Sequence, residues 1–326
     1  MKTEIKAFDE TTLDDAKAVV SEMFSPAACS ILDKMLANPL RSELGVSSAG
    51  EIVYQDGKPV AFQGAILRRL FMAQSPIVGV VGSTLCSKPE TSPVLLMSLM
   101  KATIKPRGGS ELFFANTANP VSMKMNRLLG IKGTGPETCA RLRFALTWVP
   151  PCLQPLCPRP RSRRLMPLDA EVFNSFWSRY LAGNRGLVSS RTAEELNWMF
   201  GDGLSSGETV AFGEFKEGEL LGYIVIHSTH NSHRWMVFDW IALNDDRAVL
   251  RRLLTSAVRF ARRETSAVLF EMAGFSDIAD KIAASVLPFR RKTSNNSYLW
   301  RFRDGQGSVP EGSWFFGAYD GDRAMG

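Results

Sequence analysis

Apolar positions along the chain follow two rhythms, a helical one and an alternating one, and the order in which they succeed each other occurs twice. Within residues 12–24, Leu13, Ala16, Val19, Val20 and Met23 fall at helical spacing, after a short strand-like stretch at 5–8. Two apolar runs, 51–54 and 59–71, then flank Gln55-Asp56-Gly57-Lys58. Asp-Gly between two such runs predicts a tight hairpin, because glycine and aspartate tolerate the positive φ values that a two-residue turn demands. A third strand is expected at 77–85 and a helix at 94–104, stopped by Lys105-Pro106-Arg107-Gly108-Gly109. A buried strand at 111–116 and a helix at 121–129, closed by Gly130, complete this half.

The second half runs through the same order. Strands at 209–215 and 220–227 flank Lys216-Glu217-Gly218-Glu219, and a long strand spans 235–243. A helix at 247–263 carries Leu250, Leu253, Leu254, Ala257, Val258 and Ala261 on one stripe, followed by a buried strand at 267–272 and a helix at 277–286. Between the halves, residues 147–164 hold five prolines and four arginines without periodicity and read as a connector. The expected organisation is an N-terminal domain at 1–146, a linker at 147–164, a C-terminal domain at 165–303 and a tail at 304–326. The fold class is α+β: two similar, mostly antiparallel mixed sheets, each flanked by helices.

Composition narrows the setting. A length of 326 residues suits two domains, and 45% hydrophobic residues is ordinary for a soluble protein. The N-terminal stretch alternates charges with isolated apolar residues, unlike a signal peptide or membrane helix, so a cytoplasmic location is expected and no membrane partner. Cys29, Cys86, Cys139, Cys152 and Cys157 are odd in number and scattered, which argues against a disulfide framework. The net charge of +6 is modest, with arginines gathered at 159–164 and at Arg247, Arg251, Arg252, Arg259, Arg262 and Arg263. Such clusters suit a phosphorylated cofactor or a polyanion, or a solvated face. His227, His230 and His233 read as a polar hairpin tip rather than a metal site, and Asp320-Gly321-Asp322 as a turn; no metal is expected.

An antiparallel hairpin feeding a long central strand that runs into a helix N-terminus resembles the GNAT-type N-acetyltransferases. The resemblance implies a cofactor site at the strand end and the loop after it, where backbone N–H groups and the positive helix end meet the pyrophosphate of acyl-CoA. In the first half it implies Leu85, Ser87, Lys88, Thr91 and Ser92 as cofactor-binding residues; in the second, Ile241, Leu243, Asn244, Arg247 and Ala248. Neither loop contains a glycine, where typical members have Gly-X-Gly or Gly-X-Ala. Asp245 and Asp246 would repel a pyrophosphate, whereas the first loop keeps a lysine and several hydroxyls, so on charge alone it is the better anion site. Asn116 and Asn119 resemble the family's Asn-rich segment, which implies contact with the pantetheine or with the reacting amine. Asp239 on the second central strand is the candidate general base if its face, expected to be that of Val237 and Ile241, is the cleft; otherwise it pairs with an arginine. Tyr298 is the candidate proton donor to the departing thiolate.

The stretch 191–198, Phe238-Asp239-Trp240 and the tail 314–322 also look like acetyltransferase-like proteins encoded with bacterial polysaccharide genes, implying an amino-sugar or surface-glycan precursor. The activity implied is transfer from acetyl-CoA or another acyl-CoA to a primary amine of a small molecule, by direct attack on a thioester whose carbonyl is polarised by strand N–H groups. A monomer or homodimer with no DNA partner is expected. Two alternatives stand beside it: an aminoacyl-tRNA-dependent transferase related to the FemAB-like peptidoglycan enzymes, with tRNA as partner, and a non-catalytic binding protein of the same fold.

Overall fold

Tight turns with positive φ organise the chain. In the computed structural model, Asp56 and Gly57 have φ of 48° and 79°, and Glu217 and Gly218 have 53° and 89°, so both anticipated hairpins close with the left-handed pairs that match strand twist. A third such turn, at Ala73 and Gln74 (φ 47° and 75°), carries no glycine and has no sequence signal. The structure describes residues 2–115, 120–131, 139–145, 162–165, 168–184, 186–228, 233–265, 267–274, 277–286, 290–296, 299–303 and 314–315.

In chain order the first half comprises β1 (Thr3–Ala7), α1 (Leu13–Met23), α2 (Ser30–Leu36), α3 (Pro39–Glu43), β2 (Gly50–Gln55), β3 (Lys58–Met72), β4 (Ser75–Ser87), α4 (Pro93–Thr103), β5 (Leu112–Ala115), α5 (Pro120–Leu128) and β6 (Cys139–Ala145). The second comprises β7 (Arg163–Leu165), α6 (Ala170–Gly183), β8 (Leu187–Ser189), α7 (Ala193–Ser206), β9 (Thr209–Lys216), β10 (Glu219–Ser228), β11 (Arg234–Ala242), α8 (Arg247–Arg263), β12 (Leu269–Gly274), α9 (Asp277–Val286), β13 (Arg290–Asn296), β14 (Leu299–Phe302) and β15 (Trp314–Phe315). Several helices start on side-chain caps that the sequence supplies. The side chains of Asp169, Thr192 and Asp246 accept from the first-turn N–H groups of α6, α7 and α8.

The fold is α+β, with two sheets flanked by helices. The first sheet runs β1-β2-β3-β4-β5-β14, with β8 antiparallel to the far end of β3 and β15 parallel to β8. The second runs β13-β6-β12-β11-β10-β9-β7. Sheet membership crosses the connector. Leu299–Phe302 of β14 lies antiparallel to β5, while β6, from before the connector, sits between β12 and β13. Each half therefore lends a strand to the other's sheet.

The halves also share a core. Apolar side chains of α1 and α2 (Val19, Val20, Leu32, Met35) form one continuous buried cluster with those of α6 and α7 (Phe173, Phe176, Leu196, Phe200). Removing an aromatic side chain of this kind from water contributes about 1.5–3 kcal/mol. The opposite face of the second sheet is covered by α8 and α9, through Leu253, Leu254, Ala257 and Ile282, and that of the first by Leu99 of α4 and Met123 of α5. Among the described residues no helix is long and apolar enough to cross a membrane.

Candidate functional site

Each sheet opens at a short parallel pair near its centre. β4 pairs with β5 only through Gly79, Val80 and Val81, then continues to Ser87 beside β3 alone. β11 likewise pairs with β12 only from Arg234 to Val237, although it extends to Ala242. A β-bulge accompanies each parting. On β4, Ser83 pairs with Gly64 and Cys86 with Phe62, so Thr84 and Leu85 together oppose Gln63, and Thr84 takes φ of 48°. On β11, Asp239 pairs with Val225 and Val237 with Ile226, leaving Phe238 as the extra residue. The β4 edge past Val81 pairs with no strand among the described residues, so its backbone groups are placed to bond an extended ligand.

In the first half the candidate loop leads to a helix with a neutral cap. Ser92 caps α4 by accepting from the Leu95 N–H at 3.3 Å, and Pro93 at the first helical position brings no N–H. Thr91 is buried, its hydroxyl donating to the Val60 carbonyl at 3.2 Å, which fixes the loop to β3. The Lys88 ammonium lies 2.9 Å from Glu22 at the end of α1, with both groups partly exposed. Leu85 packs against the Val53, Val60, Ala61 and Leu99 cluster, and Ser87 ends the strand opposite Ala61.

In the second half the corresponding positions are already occupied by protein charge. Asn244 and Asp245 take left-handed φ of 55° and 51° in a single turn, and Asp246 then caps α8, accepting from the N–H groups of Ala248 at 2.8 Å and Val249 at 3.2 Å. A carboxylate thus holds the donors, and faces the positive helix end, where a phosphate would have to bind. Ile241 and Leu243 face the shared core, and Arg247 is exposed at the start of α8. Three of the other clustered arginines have local partners. Arg252 pairs with Glu214 at 2.8 Å, and the Arg163 and Arg164 guanidinium groups lie over Phe215 and Phe260.

Asp239 is not placed to act as a general base. Its carboxylate accepts from Arg191 Nε at 2.9 Å and Nη2 at 3.1 Å and from the Tyr223 hydroxyl, and the Asp239 and Arg191 side chains are both 0% exposed. Arg191 Nη1 donates to the Ser189 carbonyl at 2.7 Å. A base must be reachable by the proton it takes; this one is sealed and saturated, so the arginine pairing is the alternative that the structure realises. The bulge also corrects the expected facing. Phe238 and Ile241 lie on the shared-core side together with Asp239's partner Tyr223, whereas Val237 and Trp240 face α8.

Sequence reasoning passed over a second carboxyl between the sheets. Glu195, half-buried in the first turn of α7, has its carboxyl raised above the ordinary value of 4.5 by burial, an effect partly opposed by Arg68 of β3 and by a hydrogen bond with Ser190. Arg68 is itself buried and lies over the Trp198 ring, 5.8 Å from its centroid. A carboxyl whose folded value is raised binds its proton more tightly in the folded state. Its contribution to stability is therefore fully present below 4.5 and is lost as pH rises through the folded value. Glu195→Gln is accordingly expected to match the parent in urea midpoint at acidic pH and to exceed it near neutrality. Equal midpoints across that range would remove the burial argument.

The remaining sequence candidates divide plainly. Asn116, Asn119 and Tyr298 lie outside the described residues, as do His230, Asp320 and Asp322. His227 Nδ1 is 2.9 Å from the Thr209 hydroxyl, its ring stacked on Phe238, and the His233 carbonyl accepts from Val268 and Leu269. Among the described residues no three His, Cys, Asp or Glu side chains gather as a metal site.

No protein-family model and no curated protein sequence matches the chain. Solved structures do. A GCN5-related N-acetyltransferase from Kribbella flavida superposes with a TM-score of 0.63 at 17% identity, over 93% of this chain and 71% of that one. Saccharomyces cerevisiae N-myristoyltransferase with bound myristoyl-CoA gives 0.63 at 14% identity, over 91% and 82%. A GCN5-related N-acetyltransferase from Anabaena variabilis gives 0.59 at 10%, over 92% and 72%. The fold is that of the GNAT-type N-acyltransferases. Within it, β4 and β11 are the two central strands, and α4 and α8 are the helices that follow them.

Proposed function

We propose that the protein is an acyl-CoA-dependent N-acyltransferase that takes acetyl-CoA or another acyl-CoA in its first half and acylates a primary amine on a small molecule, an amino-sugar precursor being the favoured class. The observation that carries this reading is the β4 parting: a bulged strand edge with backbone groups to offer, leading through a lysine-bearing loop to a helix capped by a neutral serine. Support at the level of fold comes from the N-acetyltransferases and from the N-myristoyltransferase holding myristoyl-CoA. The second half, with Asp246 on its helix N-terminus and Asp239 sealed by Arg191, serves as the partner wall of the shared core.

In this reading the neutral amine nitrogen attacks the thioester carbon, the C–S bond breaks, and the proton released from the nitrogen reaches the departing thiolate through solvent, giving the amide and free CoA thiol. The chain's own contribution is to fix the thioester beside the bulge, where strand N–H groups stabilise the oxyanion without reorganising. The acceptor amine, a cytoplasmic setting and the oligomeric state are parts of the same proposal.

Calorimetric titration with acetyl-CoA and with free CoA tests it. Micromolar binding is expected, weakened about tenfold by Lys88→Ala, as for loss of one charge-assisted contact, and unaltered by Arg247→Ala. No heat with either ligand would sink the acyl-CoA reading, and a loss confined to Arg247→Ala would move the site to the second half.

A further inference from the structure

The first sheet ends at β1, which among the described residues pairs only with β2. On β2 both faces of the sheet are covered: Val53 packs with Leu99 of α4, and Ile52 belongs to the core shared with α1. One strand further out the cover stops. Ile5 stands opposite Val53 and Lys6 opposite Ile52, yet all five residues of β1 are exposed, Ile5 by 37%.

The ladder to β2 decides which backbone groups β1 turns outward. The Phe8 N–H donates to the Gly50 carbonyl and the Asp56 N–H to the Lys2 carbonyl, both at 2.8 Å. Bonded positions alternate along an antiparallel strand, so Lys2, Glu4, Lys6 and Phe8 direct their N–H and C=O groups toward β2, and Thr3, Ile5 and Ala7 direct theirs away from it. The Thr12 hydroxyl takes one lone pair of the Ala7 carbonyl at 3.1 Å. An edge of this kind is a template for another strand.

Thr3-Glu4-Ile5-Lys6-Ala7 is complementary to itself when run antiparallel about Ile5. Ile5 then meets the second copy's Ile5 as a bonded pair, joining their outward N–H and C=O groups and covering the apolar side chain that the single chain exposes. On the other face Glu4 meets the second copy's Lys6, and Lys6 its Glu4. These two side chains share that face, 3.6 Å apart within one strand and each about half exposed. Moving the axis by one residue would set Glu4 against Glu4 or Lys6 against Lys6, so charge favours the register about Ile5 over its neighbours. We propose that β1 is a dimerisation strand, through which two copies of the chain join their first sheets antiparallel about a two-fold axis at Ile5. The overlap is only five residues long, so the dimer is a weak one that forms as concentration rises. The interface is independent of which ligand the first half takes.

Sedimentation equilibrium of the full chain across a concentration series tests this. The average mass of the parent is expected to rise toward twice that of the monomer. Glu4→Lys and Lys6→Glu each set like charges together at two symmetric places and are expected to weaken self-association about tenfold. An equal mixture of the two variants should associate as tightly as the parent, because every facing pair is again of opposite sign. Ile5→Pro removes the central outward N–H without touching a bond to β2, and is expected to be monomeric with an unfolding midpoint close to the parent's. A parent that stays monomeric throughout the series overturns the proposal. So does a dimer that survives Ile5→Pro, that ignores both charge reversals, or that the mixture fails to restore. Should the proline variant not fold, the mixing experiment decides alone.

Discussion

Arg191→Ala is expected to lower the stability of the folded chain by about 3–5 kcal/mol, the usual result of stranding one partner of a buried ion pair. The Asp239 carboxylate would keep only the Tyr223 hydroxyl in a site with 0% exposure. The position of the pair magnifies the effect. Arg191 follows β8, which is laid on β3 of the first sheet, and the Ser190 N–H donates to Arg69 of that strand; Asp239 belongs to β11 of the second. The ion pair is thus a fastening between sheets. Replacing both partners by apolar residues of similar volume, Arg191→Met with Asp239→Leu, should recover much of the loss, since two charges no longer need desolvating. Urea denaturation of the three variants measures this; a single-variant loss below about 1 kcal/mol would class the pair with weakly coupled surface bridges.

The other large effect concerns division of the chain. Separately expressed fragments 1–161 and 162–326 are expected to be unfolded or aggregated, whereas co-expressed fragments should purify as one complex. Without the second half, the first sheet loses β14, β8 and β15, and α1 and α2 lose the α6 and α7 side chains of the buried cluster they share. Without the first half, β6 is missing between β12 and β13, so β13 has no neighbour and β12 presents an open edge of the kind that aggregates. A fragment that is monomeric and unfolds cooperatively by itself would contradict this account of the core.

Much of this architecture was legible from residue order. Asp56-Gly57 marked its hairpin, and the helix expected at 247–263 coincides with α8, while that expected at 94–104 begins one residue earlier, at the Pro93 that follows the Ser92 cap. What sequence could not supply was any feature defined by a distant partner. Period-2 alternation says that a strand has two faces but not which strand lies beside it, so the exchange of β6 and β14 left no trace. Alternation also fails wherever a bulge inserts a residue, which is why the face of Asp239 was misjudged relative to Val237 and Phe238. Arg191 was visible in the sequence only as the first residue of the stretch 191–198. Its role as the buried partner of Asp239 came from burial and geometry.

The exchanged strands also bear on synthesis. β5 emerges from the ribosome long before the strand that will cover its edge, since Leu299 of β14 pairs with Ala115. At ~5–20 residues per second, that interval lasts roughly 10–40 s. Through it the first sheet stands with an uncovered border and a half-built core. Final closure must therefore wait until Phe302 has been translated, and until then the uncovered edge is open to pairing with other chains.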